Sequence, residues 1–239
     1  MIDTFLFDLD GTLLPLSMER FMKIYFRELG IAFKDIMPPK KLFKYIWSAT
    51  EAMIENVEYK TNEKVFMDHF SNLINDDINI YKKRFDHFYD HEFLKVKEAV
   101  SSMPLIRKSI DLLKEKGYKL VVATNPLFPQ KAIYHRIKWA DLNPDDFLYI
   151  TSYENSHYCK PQIKYFEEIL EKINKAPHQC IMVGNDVQED LIASSLGMQT
   201  FLITNYMINR KANDINCNYK GTYEDFYQYV RELSPIITK

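Results

Sequence analysis

The chain has 239 residues, 46% of them hydrophobic and 27% charged, a composition that excludes disordered and fibrous classes and leaves room for one large core or a core with an inserted lobe. Its 31 basic and 33 acidic residues leave a net charge of -2, so no broad attraction draws it to nucleic acid or acidic lipid, and any anionic ligand must be met by local groups. No apolar run reaches the roughly 18 to 20 residues of a membrane span. Residues 1–12 lack the basic stretch of a secretory leader, and Cys159, Cys180 and Cys217 show neither CxxC nor zinc-site spacing, so a cytoplasmic protein that stays off membranes is expected.

The first expected strand, Thr4-Phe5-Leu6-Phe7, runs directly into Asp8-Leu9-Asp10-Gly11-Thr12-Leu13. Residues two apart in extended backbone point to the same side, so Asp8 and Asp10 should stand together at a strand's carboxyl end, where open α/β sheets bind ligands. Two adjacent carboxylates repel unless a cation or a proton joins them, and Mg²⁺ suits all-oxygen ligands. Gly11 lets the chain turn sharply and lets backbone N–H groups approach an anion.

Residues 15–99 carry helical periodicity and no convincing buried strand, which reads as an inserted helical lobe. Ser17 can cap a helix that runs to Leu29 and stops at Gly30, and Pro38-Pro39 opens a second with Leu42, Phe43, Ile46, Trp47 and Met53 to bury. Thr61 or Asn62 can start a third, and a fourth extends from Ile80 to Phe93. The aromatic stripe of Phe21, Tyr25, Phe43, Trp47, Phe66, Phe70, Phe85 and Phe88 reads as bundle core rather than substrate pocket. Lys34, Lys40 and Lys41 read as an ordinary solvated charge run.

From residue 100 onward the rhythm changes. A helix over 105–116 stops at Gly117, and the strand Leu120-Val121-Val122-Ala123 ends in Thr124-Asn125. After the strand Phe147-Leu148-Tyr149-Ile150 come His157, which reads as a structural or surface residue, and Lys160-Pro161, opening a helix over 163–173. Cys180-Ile181-Met182-Val183 leads into Gly184-Asn185-Asp186-Val187-Gln188-Glu189-Asp190 and a small-residue helix ending at Gly197. A strand at Thr200-Phe201-Leu202-Ile203 and a helix over 222–233, with a capping box at Thr222, complete the pattern. Strands without alternation, separated by helices, predict an α/β fold: a Rossmann-like parallel sheet flanked by helices, built from residues 1–14 and 100–239, with residues 15–99 as a small α-helical cap.

Taken singly, Thr124-Asn125 is a turn and Lys160-Pro161 a surface helix start. Together with Asp8-Leu9-Asp10-Gly11-Thr12 and the acidic run ending at Asp190 they resemble, in order and position, the four motifs of the haloacid dehalogenase-like hydrolases. That resemblance implies Asp8 as nucleophile, Asp10 as general acid/base, and Thr124 and Lys160 as phosphate-stabilising groups, with Gly11 and Asn125 adding contacts. It also implies a Mg²⁺ cofactor held by Asp8, Asp10 and Asp186, with Asp190 orienting Lys160 or a metal-bound water. The family commonly has an acid directly after the glycine, where this chain has Asn185; Asp186 is preferred as the metal-binding acid because an amide weakens a hard cation's site. The expected activity is Mg²⁺-dependent hydrolysis of a small phosphorylated metabolite through an aspartyl phosphate. The alternatives are a sugar-phosphate mutase of the same superfamily or a non-catalytic metal- or phosphate-binding regulator. Substrate identity and oligomeric state are not legible.

Overall fold

The computed structural model describes residues 1–212 and 214–236. Its sheet is parallel throughout, formed by β1 (Thr4–Phe7), β2 (Lys119–Val122), β3 (Tyr149–Ile150), β4 (Cys180–Gly184), β5 (Gln199–Ile203) and β6 (Tyr219–Gly221), in the spatial order β3-β2-β1-β4-β5-β6. β1 is central, with Phe7 opposite Val122 on one side and Val183 on the other. The strand order reverses there, opening a crevice at the carboxyl edge into which the chain after β1, β2, β3 and β4 must lead. Both faces are covered. Phe5, Phe7 and Val122 join the larger core, while Leu6, Val121 and Met182 pack on the other side with Phe166 and Ile169, which is why these strands show no polar alternation.

Between β1 and β2 lie α1 (Met18–Ala32), α2 (Pro39–Glu55), α3 (Asn62–Leu73), α4 (Ile78–Asp90), a 3-10 stretch (Glu92–Ala99) and α5 (Pro104–Glu115). Ser17 caps α1 by accepting from Arg20 N, and Thr61 caps α3 by accepting from Lys64 N. α1 does not stop at Gly30. It continues to Ala32 because a glycine inside this helix lets α2 close in, where a Cβ would sit 3.2 Å from Phe43 and 3.3 Å from Pro39. Trp47 also departs from expectation. It is 56% exposed, with Nε1 donating to Glu51 one helical turn away at 2.7 Å.

Beyond β2 follow α6 (Gln130–Trp139), α7 (Ile163–Lys172) and α8 (Tyr223–Glu232). The sequence pattern predicts no element at α6, where Arg136 falls on the same buried face as Ala132, Ile133 and Ile137. β6 is similarly silent, being a three-residue edge strand with two exposed positions. The segment after Asp190 is a 3-10 stretch, Leu191–Leu196, ended by Gly197 in the left-handed region (φ +89°). α8 opens with the expected capping box at Thr222 and Asp225. Among the described residues, no helix is long and apolar enough to cross a membrane.

Candidate active site

Asp8 continues β1 by one residue, its N–H donating to Val183 O at 2.9 Å. The chain then turns through Gly11 (φ +87°), where a side chain is doubly forbidden: the backbone is left-handed, and a Cβ would lie 2.4 Å from Asn185 Nδ2. Asn185 clamps this turn. Its Oδ1 accepts from Thr12 Oγ1 at 3.1 Å and its Nδ2 donates to Tyr206 O at 2.7 Å, so both ends of the amide are used. Among the described residues, the N–H groups of Leu9 and Asp10 donate to nothing, leaving two backbone donors beside the two carboxylates.

Lys160 arrives from the loop after β3 and is 1% exposed. Its ammonium donates to Asp8 Oδ1 at 2.9 Å and to Asp190 Oδ1 at 2.6 Å. Asn125 holds the lysine's backbone, accepting from Lys160 N at 3.2 Å and donating to Lys160 O at 3.4 Å. Asp190 is fixed in turn by Asp186 N, which donates to Oδ2 at 2.9 Å, and by Gly184, where a Cβ would fall 2.1 Å from that oxygen. Burial pushes Asp8 up to about 6 and Asp190 up to about 7, against the pull of Lys160. Burial also opposes the charge on Lys160, but Asp190 and Asp8 outweigh it and hold the ammonium well above its ordinary value.

Two further ion pairs complete the arrangement. Arg136, 1% exposed on α6, bonds Asp10 Oδ2 and lies over the Phe128 ring at 4.5 Å. Burial raises the Asp10 carboxyl and the guanidinium opposes that rise. Asp10 Oδ1 and Arg136 Nη2 are both buried without a hydrogen-bond partner. Asp186 uses Oδ1 to accept from Gln188 N (2.9 Å) and Glu189 N (3.0 Å), while Oδ2 meets Arg210 at 2.5 Å. Glu189 accepts from Asn125 Nδ2 at 3.2 Å, and burial raises its carboxyl.

Asp8, Asp10, Thr124, Asn125, Asp186 and Asp190 line one cavity of about 390 Å³ between the sheet edge and helices α1–α4. The four stretches singled out in the sequence therefore converge. Asn125 differs from expectation in that its side chain is engaged with Lys160 and Glu189. His157 lies outside the cavity, paired with Glu168 and stacked on Tyr59 with ring centroids 3.9 Å apart. The aromatic stripe divides: Phe21, Tyr25, Trp47, Phe66 and Phe85 reach the cavity wall, while Phe70 and Phe88 are fully buried core. Arg136, Glu189 and Arg210 were not legible as site residues. Arg136 had one signal, a charge among apolar neighbours at helical spacing, which requires a buried counter-charge.

The donor set suits a hard cation in kind, since it is all oxygen and Asp10 Oδ1 has no partner. Its present pose is less complete. Among the described residues no three His, Cys, Asp or Glu side chains cluster so as to hold an ion, and the outer oxygen of Asp186 faces Arg210 instead.

Residues 2–195 match the model of the haloacid dehalogenase-like hydrolases. The chain belongs to that family. Among curated hydrolases, it is 29% identical over 108 residues to the glyceraldehyde 3-phosphate phosphatase of Methanothermobacter thermautotrophicus, a match covering 44% of this chain and 46% of that protein. Among solved structures, the family fold is shared with a phosphatase from Thermococcus onnurineus (TM-score 0.60, 18% identity, 98% of this chain and 100% of that one). It is shared equally with a putative β-phosphoglucomutase from Thermotoga maritima (TM-score 0.60, 20% identity, 97% and 100%).

Proposed function

We propose that this chain is a phosphatase that hydrolyses a small phosphate monoester through a covalent aspartyl phosphate on Asp8, with Mg²⁺ as cofactor. The observation that carries the reading is the meeting of Asp8, Asp10 and Thr124 in one cavity with the buried Lys160 ammonium bonded to Asp8 at 2.9 Å. Membership of a hydrolase family and likeness to a named phosphatase support it.

In this reading a carboxylate oxygen of Asp8 attacks phosphorus and the P–O bond to the alcohol breaks. Asp10, which lines the same cavity as Asp8, gives a proton to the departing oxygen. Water then attacks phosphorus, Asp10 takes back a proton, and inorganic phosphate leaves with Asp8 restored. Lys160, the Thr124 hydroxyl and the free N–H groups of Leu9 and Asp10 hold the transferring oxygens. Asp190 keeps Lys160 aimed at Asp8. Asp8, Asp186 and the backbone carbonyl of Asp10 would hold Mg²⁺, which supplies charge neutralisation between a carboxylate nucleophile and a dianionic phosphate. Asp186 suits that role better than Asn185, because the Asn185 amide is consumed by Thr12 and Tyr206 while Asp186 spends one oxygen on an exposed arginine. Helices α1–α4 act as the cap that shields the site from water.

Phosphate release from an aryl phosphate, with Mg²⁺ and with EDTA, tests the reading in the native chain and in Asp8→Asn. Turnover should require Mg²⁺ and vanish in the variant while its fold persists; full activity in Asp8→Asn would refute the mechanism.

A further inference from the structure

The wall that α1–α4 turn toward the acidic groups is apolar and ring-rich, with Phe21, Trp47, Ile54, Phe66 and Phe85 lining the cavity together with Phe128, which meets Phe21 edge-on at 6.0 Å between ring centroids. Its polar side chains already have partners within the helices. Tyr25 and Tyr89 share a hydrogen bond at 3.0 Å, Thr50 donates to Ile46 O at 2.9 Å, and Trp47 donates to Glu51 at 2.7 Å. Among the described residues, no lysine, arginine or histidine of these helices lines the cavity. The two guanidinium groups that do, Arg136 and Arg210, come from elsewhere in the chain and are bound to Asp10 and to Asp186 with Glu189.

A substrate's second phosphate or carboxylate would find no cation offered by this wall and would face Glu51. Sugar hydroxyls would lose their water and find few partners beyond Glu51 among the apolar residues of this wall, which costs affinity. A flat apolar group loses nothing of the kind and gains buried contact with several rings. The cavity, about 390 Å³, falls within the range of small-ligand pockets and continues into the carboxylate end, so one molecule can span both regions.

We propose that the preferred substrate is the phosphate monoester of an uncharged, ring-bearing apolar alcohol, with the ring seated among the aromatics of α1–α4 and the phosphate at Asp8. The inference rests on the phosphatase reading for the position of the phosphate, but the pocket's preference exists without turnover. It separates this chain from a relative whose named substrate is glyceraldehyde 3-phosphate, a small polar molecule.

The test compares primary alkyl phosphates whose leaving alcohols differ in shape and polarity more than in acidity: benzyl and 2-phenylethyl phosphate against glycerol phosphate, phosphoglycolate and a hexose 6-phosphate. Both kcat/KM in the native chain with Mg²⁺ and calorimetric binding to Asp8→Asn are measured. The ring esters should lead by at least ~10-fold in each, the discrimination a buried apolar group supplies. Trp47→Ala, which changes an exposed side chain, should narrow the lead. A ring preference in binding with no hydrolysis of any ester would sustain the inference and overturn the phosphatase reading. Hydrolysis that favours the charged or polyol esters would do the reverse, and binding indifferent to the leaving group would also overturn the inference.

Discussion

Replacing Lys160 by Met keeps the volume of the side chain and removes the cation that Asp8 and Asp190 share. The two ion pairs it breaks measure 2.9 and 2.6 Å, and the groups are nearly dry: Lys160 and Asp190 are each 1% exposed and Asp8 is 14% exposed. Breaking a buried pair from one side costs about 3–5 kcal/mol. At about 2–4 °C per kcal/mol for a chain of this size, the melting temperature should fall by about 6–20 °C. The loss must also depend on pH. Burial already raises Asp8 to about 6 and Asp190 to about 7, and Lys160 is the chief influence lowering both, so without it they rise further. A carboxyl raised in the folded state favours folding when protonated, and that advantage disappears as pH climbs through its folded value. The deficit of Lys160→Met should therefore be large at pH 8 and smaller at pH 5, where both carboxyls of the variant carry protons. Thermal unfolding at the two pH values decides the matter; a deficit under about 1 kcal/mol at pH 8, or one that grows on acidification, would refute the electrostatic reasoning.

Asp10→Asn should lower kcat by about 10² to 10⁴ through loss of proton transfer, and should also destabilise the fold because Arg136 is left buried without its counter-charge. Adding Arg136→Met should restore much of that stability and none of the rate, a split that calorimetry and phosphate release separate. Arg210→Ala should tighten Mg²⁺ binding by up to about fivefold, since the exposed arginine competes for the Asp186 oxygen a metal would use; unchanged or weaker affinity by titration calorimetry would contradict that competition. Gly184→Ala places a methyl 2.1 Å from Asp190 Oδ2. It should destabilise by about 1–3 kcal/mol, read from denaturant unfolding, and loosen Lys160.

The residues that chain geometry alone places were legible in advance. Asp8 and Asp10 follow a buried strand, Gly11 must turn after them, and Thr124 and Asp186 each follow a run that can only be another strand of the same parallel sheet, so their meeting at one rim follows from topology. Lys160 was legible only through the resemblance of the four motifs, because Lys160-Pro161 taken singly reads as a surface helix start. What could not be read were pairings between segments with no local rule connecting them. Nothing in the sequence of α6 says that Arg136 meets Asp10, or that Arg210, in the loop after β5, lies on Asp186. Gly30 misled for a related reason, since a glycine that ends a helix and one that admits a neighbouring helix look alike until the neighbour is known. The aromatics of α1–α4 share a helical spacing whether they face a bundle core or a cavity, and here they do both.

The central claim, that Asp8 carries the phosphoryl group, is tested most directly by rapid acid quench of the chain with substrate and Mg²⁺, followed by mass spectrometry of its peptides. The account predicts one added phosphoryl group on the peptide containing Asp8, formed and discharged within a turnover and absent in Asp8→Asn. Turnover that proceeds with no phosphorylated peptide, or with the label on another residue, would contradict it.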